Sequence, residues 1–243
     1  MTRQRFDAVL FDLDGVLTDT ARVHAKSWKQ MFDAFLQKRA EAGGEPFRPF
    51  EIDTDYRRYV DGRRRFDGIR EFLRSRAIHL PDGAPDDPPD RETVCGLGNR
   101  KNEMVTAALR EEGVEVFQGS LRWVRTLREQ GIRTAVVSAS SNCAAVLEAA
   151  KIADLFDARV DGKVVARLEL RGKPAPDSYL EAARQLGVEP GRAVVVEDAI
   201  SGVEAGHAGG FGLVVGVARE RNADDLLAHG ADVAVEDLAE MLP

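Results

Sequence analysis

The chain has 243 residues, 34 Lys plus Arg against 41 Asp plus Glu, a formal net charge of −7, and 44% hydrophobic residues. That is the length of one large domain, or a core with a smaller companion, in an ordinary soluble globular composition. The acidic balance argues against broad nucleic-acid or anionic-membrane binding; no apolar run reaches the ~20 residues that span a bilayer; and Cys95 and Cys143 alone make neither a disulfide scaffold nor a metal spacing.

In chain order, residues 1–5 lack the pattern of a signal peptide, so a cytoplasmic location is expected. The run Ala8-Val9-Leu10-Phe11 then reads as a strand buried on both faces. More than a hundred residues separate it from the next such run, too many for a loop. Within them Trp28, Met31, Phe32, Phe35 and Leu36 share one face at helical spacing. Ile69, Phe72 and Leu73 form a second stripe, and Met104, Val105, Ala108 and Leu109 a third. Residues 81–90, rich in Pro and Asp, read as a surface loop. The rhythm then changes. Strand-like runs at 134–137, 193–196, 213–215 and 232–235 alternate with helical patterns at 121–130, 143–150, 178–186 and 200–208. Such alternation predicts an α/β fold, a Rossmann-like doubly wound parallel sheet, with right-handed crossovers. The expected division is a core of residues 1–18 and 114–243 with an inserted all-helical cap domain over 19–113.

Chemistry gathers at the strand ends, where open α/β sheets bind ligands. Asp12 and Asp14 stand two apart after the first strand, with Gly15 permitting a sharp turn; Asp and Gly also end strands for purely structural reasons. Ser138-Ala139-Ser140-Ser141-Asn142 follows the second run, Lys173-Pro174 precedes a helix, and Glu197-Asp198 follows the third. Together they supply a carboxylate nucleophile, a second carboxyl, hydroxyl and amide donors, a cation and an acidic pair for a metal. That inventory suits phosphoryl transfer, which demands charge neutralisation and in-line positioning.

These four pieces resemble the signature of the haloacid dehalogenase superfamily, in its subgroup with a helical cap after the first motif. Within it the chain is most similar to the β-phosphoglucomutases and related sugar-phosphate hydrolases, through Asp19-Thr20-Ala21-Arg22-Val23-His24, Ser138 to Asn142 and Gly172-Lys173-Pro174-Ala175-Pro176-Asp177. The resemblance implies that Asp12 attacks phosphorus, that Asp14 is general acid and base, and that Lys173 balances charge. It implies Mg²⁺ as cofactor, held by Asp12, Asp198, the Asp14 backbone carbonyl and Glu197 directly or through water. Ser138, with the backbone of Ala139, Ser140 and Asn142, would hold a phosphate oxygen.

In the cap, His24 reads as a packed core residue or, by resemblance, as an aid to proton transfer at Asp14. The run Gly62-Arg63-Arg64-Arg65 is either a solvated basic stretch or a loop holding a second phosphate; the resemblance implies Arg65 as the clamp, with Gly62 and Arg64 lining the loop. A Lys-Gly pair of the mutase pattern reads Asp61-Gly62 here, and Lys101-Asn102 is a further match of low specificity. The expected partner is a small phosphorylated sugar as substrate, without nucleic acid or membrane, and the expected state is a monomer. Two activities share this machinery: a mutase joining β-glucose 1-phosphate to glucose 6-phosphate, and a phosphatase of small sugar phosphates. Dehalogenase relatives lack the metal logic, and phosphonate-cleaving relatives need a cap lysine for which Lys26, Lys29 and Lys38 offer no motif. The late Gly209-Gly210-Phe211-Gly212 lacks dinucleotide-binding spacing.

Overall fold

The computed structural model describes residues 5–44, 46–219 and 222–242, so most of the basic opening read above lies outside the described residues. Six strands, β1 (Ala8–Phe11), β2 (Arg133–Val137), β3 (Ala158–Val160), β4 (Ala193–Glu197), β5 (Leu213–Val217) and β6 (Val233–Val235), form one sheet in the order β3-β2-β1-β4-β5-β6. All pairs are parallel; Phe11 stands opposite Val136 on one side and Val196 on the other. This is the expected doubly wound α/β core, and the strand order reverses beside β1, where such sheets open a crevice.

Helices α1 (Ala21–Gly43), α2 (Arg65–Ser75) and α3 (Val94–Glu112) lie between β1 and β2 in the chain. They are followed by α4 (Gln118–Glu129), α5 (Cys143–Ala149), α6 (Gly162–Arg167), α7 (Asp177–Leu186), α8 (Ile200–Ala208) and α9 (Ala223–Ala228). The pleat sends Ala8, Leu10, Ala135, Val137, Ala193 and Val195 into one core with Tyr179 and Ala182 of α7 and Val203 of α8. Phe11, from the alternate set, meets Trp123 of α4 edge-on at 5.4 Å. Every residue of β1 and β4 is buried, as strands covered on both faces must be.

Two compact units are present: Met1–Thr20, Gly62–Arg64 and Val114–Pro243 make the sheet unit, and Ala21–Asp61 with Arg65–Gly113 the helical one. Gly62–Arg64 therefore go with the sheet, although they interrupt the helical stretch in sequence. The helical unit closes around Phe32, which contacts Trp28, Phe50 and Phe72 at ring separations of 5.4, 5.0 and 4.2 Å. All five residues of the first predicted stripe and all three of the second are buried. Of the third, Val105 is buried and Met104 packs partly against the cluster, whereas Ala108 and Leu109 keep some exposure. A nine-residue π-helix, Ile52–Val60, was not anticipated; Arg76 donates to Asp55 at 2.7 Å and so ties it to the residue after α2. Among the described residues no helix is long and apolar enough to cross a membrane.

Candidate active site

Strands β1, β2 and β4 end side by side, and each delivers polar groups just past its last apolar residue. Asp12 extends the ladder by one bond, its N–H donating to Val196 O at 2.9 Å, so its carboxylate leaves the sheet in a fixed direction. The chain then turns: Leu17 and Thr18 both donate to Leu13 O, and Gly15 donates to Thr18 O at 2.8 Å. Gly15 takes φ +84°, and a Cβ there would run into the Asp198 carboxylate. Glycine is required twice over, by conformation and by the close approach of Asp198. Within this turn the Thr20 hydroxyl donates to Asp14 Oδ1, and Ser138 Oγ lies 3.4 Å from Asp14 Oδ2.

Lys173 is the hub. The residue is 4% exposed, and its ammonium donates to Asp12 Oδ1 at 2.5 Å, to Glu197 Oε1 at 2.5 Å and to Val137 O at 3.2 Å. All three of its hydrogens are thereby used. Glu197, fully buried, takes four donors: Lys173 and the Tyr179 hydroxyl (2.9 Å) on Oε1, and the Asp198 and Ala199 amides (3.0 and 3.1 Å) on Oε2. Four such donors offset the cost of taking a carboxyl group out of water. Gly202 on α8 leaves the room, since a Cβ there would overlap the Glu197 carboxyl.

Electrostatics follow from this burial. Desolvation would lower the Lys173 ammonium, but Asp12 and Glu197 outweigh it and hold Lys173 above the ordinary lysine range. Burial pushes the Asp12 carboxyl up; Lys173 opposes the rise, while Glu197 and Asp14 add to it. One oxygen from each of Asp12, Glu197 and Asp198 lies within 4.8 Å of the others. Three hard oxygen donors so close, with too little positive charge beside them, fit a divalent cation.

The remaining phosphate-binding candidates are adjacent. Ser138 Oγ accepts from the Ser140 amide at 3.1 Å, and Ser140 Oγ from the Asn142 amide at 3.1 Å, folding the segment from Ala139 to Asn142 into a tight turn ahead of α5. Lys173 itself rides on a loop closed by Asp177, which accepts from the Arg171 amide and, through both oxygens, from its guanidinium.

A family model for haloacid dehalogenase-like hydrolases matches residues 6–210. The chain belongs to that family. It is 53% identical over 242 residues to a β-phosphoglucomutase of Mycobacterium tuberculosis, covering 98% of this chain and 92% of that protein. Among solved structures, the β-phosphoglucomutase of Clostridium difficile superposes with a TM-score of 0.74 at 24% identity, over 98% of this chain and 93% of that one. That likeness is one of fold. A haloacid dehalogenase family hydrolase from Deinococcus radiodurans, solved with bound phosphate and sodium, is 30% identical with a TM-score of 0.63, covering 98% and 93%.

The sequence candidates of this dehalogenase-like chain fall into two sets. Asp12, Asp14, Ser138, Lys173, Glu197 and Asp198 come together in the sheet unit, where Gly62 also lies with φ +66° against Ser201 and Ala199. Arg64 Nη1 approaches Leu170 O at 3.4 Å. In the helical unit, His24 Nδ1 is 2.9 Å from Lys101 Nζ, and that ammonium lies 4.7 Å over the Trp28 ring. Arg65 lies 4.9 Å over Phe66 and donates to Asn99 Oδ1 at 3.3 Å. Both cysteines are free and buried, with thiols pushed up by desolvation, as inert structural cysteines are. Sequence reasoning missed Tyr179, Thr20 and Arg219, since a helix-interior tyrosine or a loop arginine carries no signal until its partner is known.

Proposed function

We propose that the chain interconverts β-glucose 1-phosphate and glucose 6-phosphate through an aspartyl-phosphate on Asp12. The observation that carries this choice is the 53% identity, over nearly the whole chain, to a protein named β-phosphoglucomutase. The chemistry rests on the site. An Asp12 carboxylate oxygen bonds to phosphorus as the bond from phosphorus to the sugar oxygen breaks, and Asp14 gives that oxygen its proton. In the other half-reaction the phosphoryl leaves Asp12 for the 6-hydroxyl of β-glucose 1-phosphate as Asp14 takes that hydroxyl's proton; the glucose 1,6-bisphosphate so formed gives its 1-phosphoryl back to Asp12, and glucose 6-phosphate leaves. Thr20 and Ser138, both against the Asp14 carboxyl, keep it aimed. Lys173, held protonated by two carboxylates, offers a fixed positive charge beside the nucleophile.

Mg²⁺ is the cofactor we infer; Asp12, Asp198 and the Asp14 carbonyl would hold it, with Glu197 ligating directly or through water, and it would neutralise charge on the phosphoryl oxygens. Ser138 and the Ala139 amide take the transferring group, with the turn through Ser140 and Asn142 holding them in place. Arg65 holds the second phosphate through its planar fork, with Gly62 and Arg64 in the same loop and His24 paired to Lys101. A cytoplasmic setting follows from a phosphorylated sugar as substrate.

One feature favours a second reading, hydrolysis of a small sugar phosphate: Asp61 stands where the mutase pattern has a cation. A single experiment decides. The protein is incubated with Mg²⁺, β-glucose 1-phosphate and a trace of glucose 1,6-bisphosphate, and glucose 6-phosphate and free phosphate are followed together with Asp12→Asn as the blank. Glucose 6-phosphate far above phosphate is the expected result; phosphate without isomerisation overturns the mutase in favour of the phosphatase.

A further inference from the structure

The proline- and aspartate-rich stretch between α2 and α3, read from sequence as a surface loop, is tied down from inside. Asp87 is buried at its centre and accepts from the Thr93 hydroxyl at 2.6 Å, from Arg91 at 2.9 Å and from the Ala84 amide at 3.2 Å. The loop then presents two backbone carbonyls, Pro85 O and Asp87 O, to one side chain on α3. Asn99 Nδ2 donates to them at 3.0 and 2.8 Å. An amide group has two N–H hydrogens, and both are used. Its orientation is thereby settled: the oxygen must face the other way, and there it accepts from Arg65 Nη2 at 3.3 Å. The Phe66 ring, against which the Arg65 guanidinium lies at 4.9 Å, is packed so closely on Gly98 that a Cβ at Gly98 would clash with it. Arg65 is thus set by two adjacent positions of α3, one apolar through Phe66 and one polar.

We propose that Asn99 is a positioning residue for Arg65, and that the loop around Asp87 serves to fix the Asn99 amide so that the guanidinium is presented in one orientation to the distal phosphate of the substrate. The inference rests on Arg65 being the phosphate clamp. A long arginine side chain loses considerable rotamer freedom when it binds, and ordering it beforehand lowers that cost. Asparagine suits the task because it donates to the loop and accepts from the arginine with the same planar group. Leucine does neither, and aspartate would set a carboxylate against two carbonyl oxygens.

The test is a double-mutant cycle on the whole enzyme, with kcat/KM for β-glucose 1-phosphate as the main reading. Asn99→Leu lowers kcat/KM by about tenfold in the Arg65 enzyme, the effect of a hydrogen bond to a charged group. In the Arg65→Ala background the same change costs less than about twofold, because the two residues act as one. Phosphoryl transfer from acetyl phosphate to Asp12, with acetate leaving and no sugar present, involves no distal phosphate, so a fall in its rate as large as the fall in kcat/KM marks a general structural effect and overturns the positioning role. Asn99→Ala, which removes both the donors and the acceptor without adding bulk, repeats the measurement should the leucine variant fold poorly. Equal losses in both backgrounds, or none in either, overturn the positioning role while leaving the clamp standing. Full activity in Arg65→Ala removes the clamp, and the inference with it.

Discussion

Arg219 Nε donates to the carbonyl oxygen of Gly15 at 3.0 Å, joining the segment after β5 to the turn that carries Asp12 and Asp14. The same guanidinium reaches Ser120 Oγ at 3.2 Å and Asp237 Oδ2 at 3.2 Å, and lies 3.6 Å from the Phe117 ring centroid. Ser120 in turn donates to Val16 O at 2.6 Å. Two consecutive carbonyls of the nucleophile turn are therefore held from behind by one braced pair. Displacing reacting groups by about 1 Å costs on the order of a hundredfold in rate. Arg219→Met accordingly lowers kcat by about ten- to a hundredfold, with Arg219→Lys in between because an ammonium cannot reach every acceptor at once. Steady-state kinetics at saturating Mg²⁺ check this, and an unchanged kcat in the methionine variant refutes it.

Removing Lys173 leaves two buried carboxylates facing each other. For Lys173→Met the expected cost is about 3–5 kcal/mol at neutral pH, the range for breaking a buried ion pair. Its pH dependence has a definite sign. Lys173, raised above its ordinary value, contributes fully below that value and loses its contribution only as pH rises through the higher one. Asp12, raised by burial, favours folding when protonated, so its share is present at low pH and lost as pH rises. The cost of Lys173→Met therefore shrinks as pH falls and Asp12 takes up a proton. Urea denaturation of both proteins with chelator at several pH values checks this; a cost that does not change as pH falls would mean that the lysine is not paired to Asp12.

Gly15→Ala forces a Cβ into left-handed backbone and into the Asp198 carboxylate. The conformation alone costs about 1–2 kcal/mol. Because the clash falls on Asp198, metal affinity suffers more than stability does. Titration with Mn²⁺, followed by electron paramagnetic resonance, should show weakened binding in a protein that still melts cooperatively; wild-type binding would rule the account out.

The helical unit depends on Phe32, fully buried among three other aromatic rings. Phe32→Ala is expected to cost about 3–5 kcal/mol. A loss below about 1 kcal/mol in chemical denaturation would mean that the cluster collapses to refill the space.

The strands that build the site were legible because a strand buried on both faces has no polar residue to blur it: Ala8 to Phe11 and Ala193 to Val196 are entirely apolar. β3 was not, because it has three residues and Arg159 in its middle is exposed. α6 was equally silent, being six residues long and started by Asp161 accepting from the Lys163 and Val164 amides rather than by any apolar period. Asp12, Lys173 and Asp198 come together, as their places after strand ends and before a helix led one to expect, because polar residues at neighbouring strand ends of a parallel sheet converge whatever the loops do. Glu197 was read as a metal ligand, directly or through water, from its place beside Asp198, and one of its oxygens lies within 4.8 Å of those of Asp12 and Asp198; its four hydrogen-bond donors, from a lysine, a tyrosine and two amides, are linked by no local spacing and were not legible. Asn99 illustrates the same limit, since its role depends on two carbonyls, and carbonyls have no sequence.

The position of β1 at the centre of the sheet bears on the order in which the molecule is made. Its partners are β2 and β4, Ala8 pairing with Arg133 and with Ala193, so the strand synthesised first waits for both while the whole helical unit emerges between. The helical unit, rich in local contacts, is able to close early, whereas the parallel pairs are non-local and slow. Because Lys173 is neutralised by Glu197 as well as by Asp12, no competent site exists until the ribosome has passed β4. A truncated or stalled chain thus carries the nucleophile without the charges that make it useful, and its unpaired central strand is an open edge for aggregation.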